Sequence, residues 1–284
     1  MAMAAAVSAA ELGLITADEL EKRLSGTMDT VDKMQKWHGH LYNWYRTDTL
    51  EVMRPRYVST VDSGNFCACL ITGSMALKKY GREDTAARLE RAARETDFSA
   101  LYDAERKLFR IGYDGDACEL SNSWYDLLAS EARLTSLIAV ALGSVKPEHW
   151  FKLGRQMAPV LGGTLVSWSG TMFEYLMPVL FTGAVPDTLL YNSCLNAVKA
   201  QKRQRYGGVW GISESGYYAF DRNMYYQYRA FGLQRLSLMS CRERSRVISP
   251  YSTMFALAFD PRGACENIRR LTGEGGLGPY GMYE

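Results

Sequence analysis

The sequence predicts an all-α fold of the α/α-barrel kind, and three observations carry that prediction. Apolar residues recur at three- and four-residue spacing along most of the chain, the period of helices that bury one face. Strand-like patterning is confined to one short hairpin, Leu108 to Tyr113 against residues near Glu119. The links between helices, over 44–64, 162–170, 207–218 and 273–283, are rich in Gly, Trp, Tyr and Ser. Antiparallel helix pairs around one centre gather such loops at one end, where they form a cleft. A plain helical bundle is the rival architecture, but its connections are shorter and less elaborate.

The elements follow in order. Met1 to Val7 is apolar without a basic stretch or a cleavage-like site, so it reads as the interior of a helix whose beginning is missing. Thr16 with Glu19 has capping-box spacing, and Leu20, Leu24, Met28 and Val31 form the stripe behind it. Similar patterns mark helices over 65–80, 83–95, 125–142, 171–181, 188–205, 223–231 and 251–259. The last helix, 261–271, has Asp260 as its cap and proline at its first position. That makes about ten helices. No Pro- or Ser-rich divide, low-complexity stretch or strict repeat interrupts them, so 1–284 is expected to be one domain.

Composition excludes several classes. The 284 residues, 47% hydrophobic and 23% charged, suit a globular chain with a sizeable core. Thirty-three Lys and Arg against 31 Asp and Glu leave a net charge of +2, with no electrostatic footprint for nucleic acid. The best apolar run, 134–142, falls well short of the roughly 18–20 residues needed to span a bilayer. The six cysteines, Cys67, Cys69, Cys118, Cys194, Cys241 and Cys265, supply no tetrahedral zinc set with three histidines. They read as buried free thiols of a reducing compartment. Neither a metal nor a cofactor is expected.

The loops hold the chemistry. Aromatics, 12% of the chain, gather there with carboxylates among them: Trp44, Tyr45, Trp168, Trp210 and Tyr217 beside Asp62, Asp126, Glu131, Glu174 and Glu214. Sugars present an apolar C–H face and a ring of hydroxyls, which aromatic platforms beside Asp, Asn and Arg match. The plain alternative is that the aromatics fill space and the acids are solvated.

Two carboxylates flanking one bond are the minimum for glycosidic cleavage. Glu131 lies early in a helix that turns wholly apolar from Leu134, where desolvation would raise its pKa toward that of a proton donor. The alternative for Glu131 is an ion pair with Arg133 or a neighbouring helix. Glu214 lies among small residues, Gly211 to Gly216, that would let the chain approach a ligand; the alternative is an exposed loop acid. His38, His40 and His149 lack a G-x-S-x-G elbow, and the Gly-rich 273–278 follows a helix, not a strand, so triad and phosphate-loop chemistries are disfavoured.

Several blocks together closely resemble the glucoamylase-like domain of cyclic β-1,2-glucan synthases. They are His38-Gly39-His40-Leu41-Tyr42-Asn43-Trp44-Tyr45, Tyr57 to Asn65, Tyr125 to Arg133, Val166 to Pro178, Trp210 to Ser215 and Tyr226 to Gly232, in the family's order over nearly the whole chain. The resemblance implies an (α/α)6 barrel acting on β-1,2-glucan by anomer-retaining transglycosylation, which resizes the linear chain. Related endo-β-1,2-glucanases hydrolyse it instead. Carried over by motif, Glu131 is the acid/base and Glu214 the nucleophile. Asp62, Asp126, Glu174, Tyr217 and Arg229 would contact substrate, with Trp44, Trp168 and Trp210 as sugar platforms.

Two departures accompany the resemblance. The family's domain extends beyond both ends of this chain, so the chain resembles a fragment of a larger synthase whose other segments would be its partners. Arg46 stands where the family usually has aspartate, reversing a charge beside the expected cleft. A non-catalytic carbohydrate-binding fragment is therefore the alternative to an enzyme. Since the parent synthases sit in the inner membrane and nothing here inserts, the resemblance places this domain on the cytoplasmic side.

Overall fold

Side-chain caps at Thr16, Ser59, Thr188 and Asp260 start four long helices in this computed structural model, which describes residues 1–205, 207–220, 222, 226–239 and 247–283. The chain separates into two compact units, Met1–Asp126 with Leu134–Leu153, and Leu127–Arg133 with Gly154–Glu284.

In the first unit, α1 (Ala2–Glu11) packs on α2 (Ala17–Val31), whose cap Thr16 accepts from Glu19 N at 3.2 Å. The hairpin β1 (Lys36–Trp37) and β2 (His40–Leu41) follows, then β3 (Tyr57–Ser59). α3 (Thr60–Lys79) starts five residues before the expected 65, because Ser59 Oγ accepts from Asp62 N at 3.2 Å and caps it. α4 (Glu83–Arg94) lies along α3. Leu20, Leu24, Met28, Leu70, Leu77 and Leu89 are fully buried between these helices. Each such side chain contributes roughly 1.5–3 kcal/mol relative to exposure. Gly73 permits the close packing: a Cβ there would stand 2.8 Å from Leu89 Cδ2.

Strands β4 (Tyr102–Asp103), β5 (Leu108–Arg110), β6 (Gly112–Asp114), β7 (Glu119–Leu120) and β8 (Trp124–Tyr125) extend the single hairpin expected from sequence. They form two three-stranded sheets, ordered β3-β6-β7 and β4-β5-β8. α5 (Arg133–Ala141) is shorter than the helix expected over 125–142. Tyr125 instead belongs to β8, and a parallel bridge between Leu127 and Gly154 holds the next residues extended. α6 (Glu148–Lys152) closes the unit, with His149 buried between Lys107 O at 2.9 Å and Ser136 Oγ at 2.8 Å.

The second unit opens with β9 (Met157–Ala158) and β10 (Thr164–Leu165). The helix expected over 171–181 appears as α7 (Met172–Leu176) and α8 (Val179–Thr182), interrupted at Pro178, which has no N–H to continue it. α9 (Leu189–Arg203) begins after the Thr188 cap, at the start expected for the helix over 188–205. The helix expected over 223–231 is a correction. Residues 226–230 form strand β12 (Tyr226–Ala230) against β11 (Glu214–Phe220), while 223–225 lie outside the described residues. Tyr-rich alternation suits a pleated surface better than a helix. α10 (Pro250–Phe255), α11 (Pro261–Gly273), β13 (Leu277–Gly278) and β14 (Gly281–Met282) complete the chain.

Of the cysteines, Cys67, Cys69 and Cys194 are buried; Cys118 and Cys265 are exposed, against the expectation, and Cys241 lies outside the described residues.

Candidate active site

Glu214 is placed by clamps on the backbone just before it. Asn267 of α11 accepts from Trp210 N at 3.1 Å and donates to Trp210 O at 2.8 Å. Gln201 of α9 does the same for Ile212, at 3.0 and 2.8 Å. Between them Gly211 has φ +117°, and a Cβ would stand 2.7 Å from Ser252 Oγ. The glycine therefore lets the chain approach α10, not a ligand as its sequence context suggested. These amide clamps have no local sequence signal, since their partners lie 11 and 57 residues away.

The strand that follows carries Glu214 as its first residue, so it is not a loop acid. Its carbonyl accepts from Tyr251 Oη at 2.7 Å and Ser249 Oγ at 3.1 Å. Its carboxylate accepts a short hydrogen bond from the Tyr228 hydroxyl of β12, and Thr171 Oγ1 lies 3.4 Å from Oε1. Burial raises the Glu214 pKa and the nearby Glu174 charge adds to that, while Tyr228 and Thr171 oppose it.

Thr171 starts α7 with a complete capping box: Glu174 N donates to Thr171 Oγ1 at 3.2 Å, and Thr171 N donates to Glu174 Oε2 at 2.9 Å. The Glu174 carboxylate also accepts from Ser167 Oγ at 2.9 Å and Ser169 N at 3.1 Å. Glu174 is 4% exposed. The expected sugar contact is thus corrected: its oxygens are occupied by its own loop, and its role is to cap and to supply a buried negative charge.

Glu131 stands in the turn immediately before α5, not within a helix. It is half-buried, and Ser130 Oγ donates to Oε2 at 3.4 Å. Burial, followed by the charges of Glu174 and Glu214, pushes its pKa up to about 8. The ion pair with Arg133 that could have neutralised it does not form. Arg133 is buried and donates to the carbonyls of Ser130 at 3.0 Å, Glu174 at 2.6 Å and Tyr175. Desolvation therefore leaves Glu131 protonated at neutral pH, whereas Glu214 keeps a dedicated hydrogen-bond donor.

Other expected site residues divide. Trp168 is 39% exposed in the Ser167–Gly170 loop, and Arg229 is exposed on β12 beside Ser215 in register. Trp210 is corrected: at 4% exposure it belongs to the core and offers no platform. The side chain of Tyr217 lies outside the described residues. Gly170 and Gly232 meet so closely that a Cβ on Gly232 would stand 2.0 Å from Gly170 C, which joins the Trp168 loop to the end of β12.

In the first unit, Trp44 and Asp62 line a cavity of about 400 Å³ with Tyr42, Asn43 and Phe66. Trp44 is 59% exposed, Asp62 is exposed, and Asp126 is half-buried directly after β8. His40 lines the same cavity but is itself buried, with Nε2 2.9 Å from Asp97 O. Arg46 pairs with its own loop, Nη2 standing 2.6 Å from Asp48 Oδ2. Trp124 is structural: its Nε1 donates to Asp103 at 3.0 Å, and Arg106 and Arg110 lie over its ring at 3.9 and 4.6 Å. Among the described residues no cluster of three or more His, Cys, Asp or Glu could hold a metal, and no helix is long and apolar enough to cross a membrane.

Comparison with known proteins gives a relative in sequence, a family model and neighbours in fold. The chain is 32% identical over 408 residues to the cyclic beta-(1,2)-glucan synthase NdvB of Rhizobium meliloti (strain 1021). That match takes in 98% of this chain and 14% of the relative. The endo-beta-1,2-glucanase of Chitinophaga pinensis, solved with sophorotriose and glucose, shares its fold at TM-score 0.76 and 17% identity, over 99% of this chain and 73% of that one. A beta-1,2-glucanase of Parabacteroides distasonis does so at TM-score 0.78 and 14% identity, over 99% and 46%. The Glycoamylase family model, described as "Putative glucoamylase", matches residues 123–284, a span that holds Glu131, Glu174 and Glu214. With more than half its length and its cluster of buried carboxylates inside that match, the chain belongs to the Glycoamylase family.

Proposed function

We propose that this chain is the carbohydrate-active part of a larger protein and acts on β-1,2-glucan by anomer-retaining transglycosylation. The observation that carries the proposal is the different surroundings of two carboxyl groups close enough for the charge of one to act on the other. Glu131, half-buried and flanked by two negative charges, holds its proton to about pH 8. Glu214, whose pKa burial also raises, accepts a hydrogen bond from Tyr228 that opposes the rise and favours the form that attacks. Paired carboxyl groups with pKa values pushed apart are the requirement for a proton donor beside a nucleophile.

In the first step Glu131 gives its proton to the glycosidic oxygen as the bond to the leaving glucan breaks, and a Glu214 oxygen bonds to the anomeric carbon. In the second, the hydroxyl of another glucan loses its proton to the Glu131 carboxylate and bonds to that carbon, and the bond to Glu214 breaks. Two inversions retain the anomer. Trp44, Asp62, Asp126, Trp168 and Arg229 are proposed as substrate contacts; Trp210 and Glu174 are not. The finer architecture, one (α/α)6 barrel over 1–284 facing the cytoplasm, belongs to this proposal. The 99% coverage by glucanase structures supports the barrel.

Mass spectrometry of products from linear β-1,2-glucan, with Glu214→Gln as control, tests the proposal. Redistribution to longer and shorter chains, lost in the control, is the expected result. Shorter products alone would make the chain a hydrolase, the reading favoured by the glucanase fold relatives. Full activity in the control would remove Glu214 as nucleophile, and no turnover at all would leave a binding module.

A further inference from the structure

From the hydrogen bond between the Tyr228 hydroxyl and the Glu214 carboxylate, we infer that Tyr228 is a positioning residue that keeps Glu214 ionised and fixes its orientation. The inference rests on the proposed nucleophilic role of Glu214.

Among the described residues, groups on four segments face Glu214. Thr171 and Glu174 approach from the start of α7, Tyr251 and Ser249 from α10, Glu131 from the turn before α5, and Tyr228 from β12. Tyr251 and Ser249 donate to the Glu214 carbonyl, at 2.7 and 3.1 Å. Thr171 has one proton and two carboxylate claimants, and its oxygen is nearer to Glu174 at 3.1 Å than to Glu214 at 3.4 Å. The Glu174 charge works against ionisation of Glu214. Of these described hydroxyls, Tyr228 is the one directed at the Glu214 carboxylate.

Core packing does not hold Tyr228 there, because its ring is 56% exposed. The strand pairing aims it: Tyr228 stands opposite Gly216 in the register of β11 and β12, two residues past Glu214. A glycine opposite leaves the phenol room to lean along the hairpin toward the carboxylate. The contact is energetically reciprocal, as the Glu214 charge and desolvation together raise the Tyr228 pKa. A phenol that keeps its proton remains a donor throughout the working range.

The test is the pH profile of kcat/KM for Tyr228→Phe on linear β-1,2-glucan, beside the parent and Glu214→Gln. A hydrogen bond to a charged group stabilises that form enough for its loss to cost about ten-fold or more in activity on the acidic side. The acidic limb should move toward neutral pH while the plateau falls much less. A residue of purely structural value would lower the plateau and leave the limb in place, and that result would overturn the inference. If Glu214→Gln stays active, the nucleophile assignment fails instead, which separates the two failures. Should Tyr228→Phe not fold, ultraviolet titration of tyrosines in the parent and Glu214→Gln reads the contact directly. One phenol should ionise at lower pH in Glu214→Gln; no difference between the two titrations would overturn the inference.

Discussion

Thr171 and Glu174 cap each other at the start of α7, and the Thr171 hydroxyl also reaches toward Glu214 at 3.4 Å. A local helix signal therefore fixes a charge beside both candidate catalytic groups. The charge of Glu174 raises the pKa of Glu131 and of Glu214 alike. Glu174→Gln keeps a side chain able to form the capping box but removes that charge. Both limbs of the kcat/KM profile should then move to lower pH, with a stability loss of about 1 kcal/mol. An unmoved profile would show that Glu174 does not act electrostatically on the pair.

Glu131→Gln should lower turnover by about 10²- to 10⁴-fold, the usual contribution of a positioned acid or base. The same substitution has a stability consequence whose sign follows from linkage. The folded chain keeps the Glu131 proton from its ordinary value of 4.5 up to about 8. Over that window the native state binds more protons than the unfolded state, so stability declines as pH rises. The contribution of Glu131 is thus fullest below 4.5 and is lost progressively up to about pH 8. Gln carries no such loss. Thermal melts at pH 5 and pH 8.5 should show Glu131→Gln gaining on the parent at the higher pH.

Arg133 is buried with its guanidinium spread over the carbonyls of Ser130, Glu174 and Tyr175. Lysine carries the charge without the planar fork and leaves at least one buried carbonyl unpaired. Arg133→Lys should cost about 2–4 kcal/mol in urea denaturation, since each unpaired buried group costs roughly 1–3 kcal/mol. It should also reduce activity, because the same carbonyls anchor the Glu174 helix to the turn that carries Glu131. A variant as stable as the parent would refute this account of the anchor.

By itself the sequence determined what local chemistry decides. Thr16 and Asp260 cap helices as their spacing predicts, and the helices expected from 171 and 188 start there, because a cap oxygen and its N–H partner lie within three residues of each other. The motif blocks around Glu131 and Glu214 were equally legible. Only the tertiary structure decided which polar groups meet. It turned 226–230 into a strand, because Tyr-rich residues there had a partner strand at 214–220 to pair with. It buried Trp210 beneath the Asn267 clamp and turned Glu174 into its own loop, though their motifs resembled those of sugar contacts. It also brought Tyr228 to Glu214 and Gln201 to Ile212. These pairings depend on strand register and helix docking across long stretches of chain, and periodicity along a sequence carries no record of either.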